Sequence, residues 1–335
     1  MNQPSPENPP VPADAVGQPG PYAEPAPYAQ PGPYAQPGPY APDGAYPPGP
    51  PRRGVTGRVL GTVGALLALA VVGFGGLFLV DLSMSETTTT SRSYDAVGTV
   101  ELVADGDVTV SAAEGDIEVD AIAHSGMREP TYSEDVSGSR LEVTHRCGWS
   151  FLLPRCSGEL DVTLPAGTEV VVRTENGDVV ATGLAGEVSL NTSNGRVEAD
   201  GISGPLFVDS SNGDIDVADA QADVETSTSN GEVSVTGVDG TVTAETSNGR
   251  ITIDAVTGDA SAKTSNGSVE VSAVDGNVYS ETSNGEITVI GNGEPVALTL
   301  ETSNGSETIQ GPTDPDAERT VEMRSSNGDV AYLDE

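Results

Sequence analysis

From Tyr94 onward, apolar and polar residues alternate in short runs: V-G-T-V-E-L-V, then D-G-D-V-T-V, then G-D-I-E-V. Successive side chains of a strand point to opposite faces, so each run predicts a β-strand with one buried face. The glycines between the runs predict turns. Residues 124–158 interrupt the alternation with Pro, Ser, Gly and two cysteines, and L-D-V-T-L-P-A-G restores it at 160–167. Beyond that point the pattern is strictly periodic. Asn-Gly stands at Asn176-Gly177, Asn194-Gly195, Asn212-Gly213, Asn230-Gly231, Asn248-Gly249, Asn266-Gly267 and Asn284-Gly285, always 18 residues apart, and less regularly at 304 and 327. A second turn follows most of them: Ala185-Gly186, Ser203-Gly204, Asp239-Gly240, Thr257-Gly258 and Asp275-Gly276. Each repeat therefore predicts two strands and two tight corners.

Asn-Gly between alternating apolar residues is also a strong hairpin signal. A meander of hairpins, however, has no reason to keep an unbroken register of 18. A stack of coils does, because equivalent positions then lie about 4.8 Å apart and like residues form ladders. The inward set after Asn230 is Val233, Val235, Val238, Val242 and Ala244. One repeat later it is Ile251, Ile253, Val256, Ala260 and Ala262, and then Val269, Val271, Val274, Val278 and Ser280. The expected fold is an all-β solenoid with about 18 residues and two strands per coil. Glycine is expected at the corner because it accepts positive φ, with Asn tolerating the left-handed region beside it and stacking its amide along the ladder. No coil buries enough to fold alone, so stability is expected to sum over neighbours. Residues 171–293 form the regular solenoid in this reading, 94–170 an irregular β cap with a cysteine loop, and 294–335 irregular coils with a second cap.

The first third of the chain differs in kind. Residues 1–51 are Pro-, Tyr- and Gly-rich, with Tyr22, Tyr28, Tyr34, Tyr40 and Tyr46 six apart. This composition predicts a disordered tail of polyproline II character, in which a six-residue spacing puts the rings on one face as a strip for a cytoplasmic partner, or a mere spacer. Residues 59–80 carry no charge. At 1.5 Å per residue they reach about 33 Å, enough for one transmembrane helix. Arg52, Arg53 and Arg58 precede this span while Asp81 and Glu86 follow it, which predicts a cytoplasmic N-terminus and an external C-terminal domain of a single-pass plasma-membrane protein. Residues 81–93 read as a polar stalk.

Composition sharpens this picture. Of 335 residues only four are Phe and one is Trp, which suits a thin core of Val, Ile and Ala. The net charge is −37, and only Glu7, Asp14, Glu24 and Asp43 among the acids precede the apolar span. Such a surface repels nucleic acid and favours solubility, cations or basic partners. Cys147 and Cys156 lie close enough to predict a disulfide closing a small loop in an oxidising compartment. His124 and His145 are the sole histidines, and no nucleophile pattern stands out around them, so no catalytic residues are assigned. Asp178, Asp214, Glu232 and Glu286 follow the asparagines by two residues and could line an edge, but Arg196 and Arg250 interrupt the rank. No calcium nonapeptide or EF-hand loop is present, so neither metal nor cofactor is expected. Thr228, Thr246, Thr264 and Thr282 make a column of the kind ice-binding solenoids display, without a second column beside it.

The anchor, the G-D-V-T-V and G-D-I-E-V strands, the L-P-A-G turn at Leu164–Gly167 and the serial T-S-N-G-x-V-x-V coils together resemble the bacterial Toastrack-type family of proposed adhesin domains, over roughly residues 94–330. The Pro/Tyr tail resembles those of actinobacterial membrane proteins. The resemblance implies an envelope-exposed β-repeat domain without assigned enzymatic activity, in some members linked to envelope stress systems, and it carries over no functional residues. The expected function is a non-catalytic, surface-displayed recognition or adhesion module for a glycan or protein ligand. An accessory or sensor component of a stress response is the alternative, and a polysaccharide-acting enzyme the third.

Overall fold

The computed structural model of the protein describes residues 63–64, 67–76, 86–125, 129–148 and 156–334. Residues 67–76 are helical and fall inside the span expected at 59–80. Among the described residues no helix is long and apolar enough to cross a membrane. Apart from residues 63–64, which are also helical, the rest of that span lies outside the described residues, as does the Pro/Tyr tail.

From Glu86 onward the described residues form 25 strands, arranged as a 13-stranded and a 12-stranded sheet lying over a shared core. In the coil that follows Asn248, Ile251–Val256 runs in the larger sheet and Ala260–Thr264 returns in the smaller one. Each strand pairs in parallel with its equivalents one repeat away. Ile251 lies between Val233 and Val269, and Ala260 between Val242 and Val278. Hairpins would pair antiparallel, so these contacts define a solenoid. The inward residues of all three repeats named above are buried, the most exposed at 2%. Ser280 stands in the alanine column of Ala244 and Ala262, and its buried hydroxyl has no hydrogen-bond partner among the described residues.

The corners work differently from the expectation. None of the glycines from Gly177 to Gly285 in the Asn-Gly series has positive φ, and neither do the asparagines. Glycine is required there by close approach instead: a Cβ on Gly249 would overlap the carbonyl of Gly231, and the same holds from Gly195 through Gly285. The left-handed position is a separate column, Gly183, Gly201, Asp219, Gly237, Ala255 and Ala273, with φ between 50° and 73°. Strand pairing skips this residue: Thr236 pairs Asp254 and Val238 pairs Val256, with Gly237 and Ala255 bulged between. One extra residue shifts the alternation, which is why Val235 and Val238, three apart, both face inward.

The ends depart from the expected boundaries. The stretch read as a polar stalk is largely a strand, Glu86–Tyr94, paired antiparallel with Ile117–Ser125. It escapes alternation rules because it is an edge strand exposed along nearly its whole length, while its run of threonines favours extended backbone. Coil order also differs from chain order. Thr99–Ala104 and Val108–Ala112 lie between the first regular coil, Glu169–Thr174 with Val179–Thr182, and an outer coil, Arg140–Arg146 with Cys156–Leu164. At the other end Thr320–Asn327 and Val330–Leu333 slot between Val278–Ile290 and the outermost coil, Ala297–Asn304 with Glu307–Ile309. The region 294–335, expected to be irregular, thus continues the stack in register.

Alanine at positive φ is strained by roughly 1–2 kcal/mol, partly offset by glycine's larger unfolded-state entropy. Ala255→Gly and Ala273→Gly are therefore expected each to stabilise the solenoid by about 0.5–1 kcal/mol in urea titrations, whereas Gly249→Ala should cost about 3 kcal/mol through backbone overlap. Equal effects at both columns would contradict this division of labour.

Candidate functional site

The Thr-Ser-Asn-Gly corner is a hydrogen-bonded clamp. Thr192 Oγ1 accepts the N–H of Gly195 at 3.1 Å within its own corner and donates to the carbonyl of Gly177 in the coil before at 3.0 Å. The bond to the previous glycine recurs from Thr228, Thr246, Thr264 and Thr282, and from Ser210 and Ser325. All these hydroxyl residues are buried. The threonine column is thus internal rather than an exposed ice-facing array. Outside it, Asn194 Nδ2 donates to Asn176 Oδ1 at 3.0 Å, and the amide chain continues through Asn212, Asn230, Asn248, Asn266 and Asn284. It then passes to Asn327 and only afterwards to Asn304, at 3.0 Å each, following coil order.

The acidic rank also has a structural use. Asp178 Oδ1 accepts the backbone N–H of Arg196 at 2.8 Å, and Asp214 Oδ1 that of Glu232 at 2.9 Å. Asp329 does the same for Ser306, which holds its carboxyl below the usual range. At the second corner Asp223 and Asp259 cap Thr241 and Asn277. Arg196 lies between Asp214 and Asp216 at 3.5 Å from each. Of the carboxylates singled out as a possible edge, Asp178 and Asp214 therefore fix successive corners to one another. Among the described residues no group of three or more His, Cys, Asp or Glu is placed to hold a metal ion.

The two cysteines lie at a corner. In the outer coil the Cys147–Cys156 disulfide, Cα atoms 5.9 Å apart, joins the end of Arg140–Arg146 to the start of Cys156–Leu164, on the side where other coils have Ser-Asn-Gly. Asp105, at the corner of the adjacent coil, accepts the N–H of both Cys147 and Gly158 at 2.7 Å and pins the two ends. His145 fills the next inward position, 2% exposed, with Nδ1 3.1 Å from the Glu159 carbonyl and the edge of Tyr132 against its ring. His124 pairs with the Glu159 carboxylate at 2.8 Å and with Thr87. Tyr94 hydrogen-bonds Tyr132 at 2.6 Å and Glu134, and Arg92 lies over the Tyr132 ring. Burial raises both phenols' pKa values. This tyrosine cluster closes one end of the stack. The sequence offered no signal for it, since Tyr94, Tyr132 and Glu134 share no spacing.

These features define a parallel, corner-clamped β-solenoid closed at one end by a disulfide-bearing cap. The model of the family described as Toastrack DUF4097 matches residues 99–255, and this stretch of the chain is a Toastrack domain. Among curated proteins none matches the chain. Similar solved structures include a proposed adhesin from Bacteroides fragilis NCTC 9343, at 12% identity and TM-score 0.41, covering 75% of this chain and 97% of that one. A proposed lipid binding protein from Parabacteroides distasonis ATCC 8503 is 14% identical, with TM-score 0.45 over 74% and 97%. A proposed adhesin from Parabacteroides merdae ATCC 43184 is 14% identical, with TM-score 0.31 over 74% and 96%.

Two consequences are measurable. Thr246→Val strands a buried glycine carbonyl and is expected to cost about 1–3 kcal/mol, whereas Asn248→Ala, on the exposed amide chain, should cost about 1 kcal/mol or less. Urea midpoints of the two variants decide the ranking. Tyr332, fully buried, has a hydroxyl without a hydrogen-bond partner among the described residues, and burial raises its pKa. A raised phenol pKa means stability that is complete below the usual value of about 10 and is lost as pH climbs through the folded-state value. Tyr332→Phe is expected to leave neutral-pH stability equal or higher and to blunt the alkaline transition. A loss of stability at pH 7 would show that the hydroxyl is satisfied.

Proposed function

We propose that the chain is a non-catalytic, adhesin-like recognition module displayed outside a bacterial membrane. Its anchor is the uncharged segment 59–80, with residues 1–51 in the cytoplasm. One observation carries the reading. The repeated polar groups that could serve chemistry, the corner threonines, asparagines and aspartates, are committed to bonds between coils. What remains free is a long, stiff, polar surface. A stack of this kind has few soft elements to close around a substrate, but it presents a fixed face over many coils. The Cys147–Cys156 bond suits an oxidising compartment, and the net charge of −37 suits a solvated external domain that avoids anionic polymers.

The test uses soluble residues 86–335 against whole cells and immobilised glycans, with protease shaving of intact producing cells. Saturable attachment, and removal of the domain by external protease, are expected. Turnover of a polysaccharide that disappears in Asp214→Asn or Glu232→Gln would replace this reading with an enzymatic one.

A further inference from the structure

The two ends of the stack are finished differently. At the cysteine-bearing end, antiparallel strands fold over the outer coil, and its Leu141 and Val143 are fully buried. The edge strands there, Glu86–Tyr94 and Thr131–Ser137, are exposed and mainly polar, with Val136, 59% exposed, as the large apolar exception. At the opposite end, roughly 50 Å away at the usual strand spacing, both sheets end without a further strand among the described residues, and only Val296, just before the edge strand, is bridged, to Thr313. Ala297–Asn304 and Glu307–Ile309 are each paired on one side only. Leu298 and Leu300 continue the inward columns of Val278–Val321 and Ser280–Met323, yet they are only half-buried, and Ile309 is 56% exposed. Together with Glu307 and Pro315 they line a groove of about 540 Å3.

We propose that this end is a docking edge for an extended segment of a partner polypeptide, which adds as the next coil by placing two apolar side chains on Leu298 and Leu300 and a lysine or arginine beside Glu301. Strand addition satisfies the free backbone groups of the edge, and alternate side chains then give selectivity. The occupant's charge is read from the outer column of the smaller sheet, which runs Glu245, Lys263, Glu281, Arg324, Glu301 across successive strands. Lys263 lies 3.6 Å from Glu245, and Arg324 lies 3.6 Å from Glu301 and 2.6 Å from Glu322. The next member of that alternation is basic. Glu307 reinforces it: its register partner is the inward Val330, so it stands at the mouth of the core column, with no side-chain hydrogen bond or ion pair among the described residues. A second copy of this chain fits poorly, since its own edge would bring Glu301 and Glu307 against carboxylates on a molecule of net charge −37.

The inference deepens the recognition reading by naming the partner's chemistry and the place it binds. The probe is a dye-labelled synthetic peptide with the sequence Arg319–Asp334, whose Val321, Met323 and Arg324 already pair with the inner side of the Ala297–Asn304 strand. Anisotropy titration against the full chain is expected to saturate. Affinity should fall about tenfold or more when the peptide carries Glu in place of the arginine equivalent to Arg324, and likewise when the protein carries Leu300→Asn. Glu301→Lys, an exposed change that leaves the core intact, should invert the preference between the two peptides. Absence of binding at millimolar peptide, or equal binding of both peptides to both proteins, overturns the proposal. So does a concentration-dependent dimer, seen by sedimentation, that Leu300→Asn abolishes, because the edge then belongs to a second copy. Cell attachment measured in parallel separates the two readings: attachment that persists while the peptide fails to bind sinks the docking edge and leaves the recognition module standing.

Discussion

Between successive corners there is room for a glycine and nothing larger, because the carbonyl of each corner glycine lies where the next coil's Cβ would be. That close contact sets the step of the stack. With the corners locked, both strands of a coil must pair in register with those of its neighbours, and every inward side chain sits on its own equivalent. The buried threonine turns the contact into a bond by taking the N–H of its own glycine and donating to the glycine of the coil before. Eighteen residues per turn follows from this geometry, since a corner displaced by one residue would turn the core side chains outward.

A repeating stack multiplies whatever it places on its surface, charges included. Identical carboxylates one strand apart repel, and the chain answers in two ways. At the corners, Asp178, Asp214 and Asp329 take a backbone N–H of the adjoining coil, so each negative charge meets a donor. On the sheet, Glu245, Glu281 and Glu301 alternate with Lys263 and Arg324. Lys263 and Arg324 thus stand where this column would otherwise stack like charges. The same alternation stops at Glu301, on the last strand, which has a basic neighbour, Arg324, on its inner side only.

The period, the two corners and the inward residues are all legible in the sequence because each recurs as a residue type: Asn-Gly for the corner, Val or Ile for the core. The left-handed bulge is not legible, since glycine, aspartate and alanine all occupy it and only the backbone marks the column. Glycine at Asn-Gly invites the opposite error. Its usual association with positive φ hides the steric reason for it here. The strand Glu86–Tyr94 reads as a stalk because an edge strand exposed on both faces has no apolar alternation. The cysteines are visible as a pair, but nothing in their spacing says that they lie at a corner. The open end is the least legible feature, because Leu298, Leu300 and Ile309 look like ordinary core residues until the absence of a neighbouring strand is seen.

That open end depends on the order in which the last two coils are stacked. The coil Thr320–Leu333 pairs with residues 43 positions earlier and leaves Ala297–Ile309 outside it. Lengthening the closure from 18 to 43 residues costs only about 0.8 kcal/mol in chain entropy. In return, the coil Thr320–Leu333 is covered on both edges: Val321, Met323, Val330 and Tyr332 are fully buried. Here the edge is an internal segment held at both of its ends, by the stretch after Ile290 and by the crossing that carries the Asp314 N–H to the Val296 carbonyl. An edge fixed in this way keeps its backbone groups aligned and its leucines in register without a partner, and this order is what strand addition requires of a receiving surface.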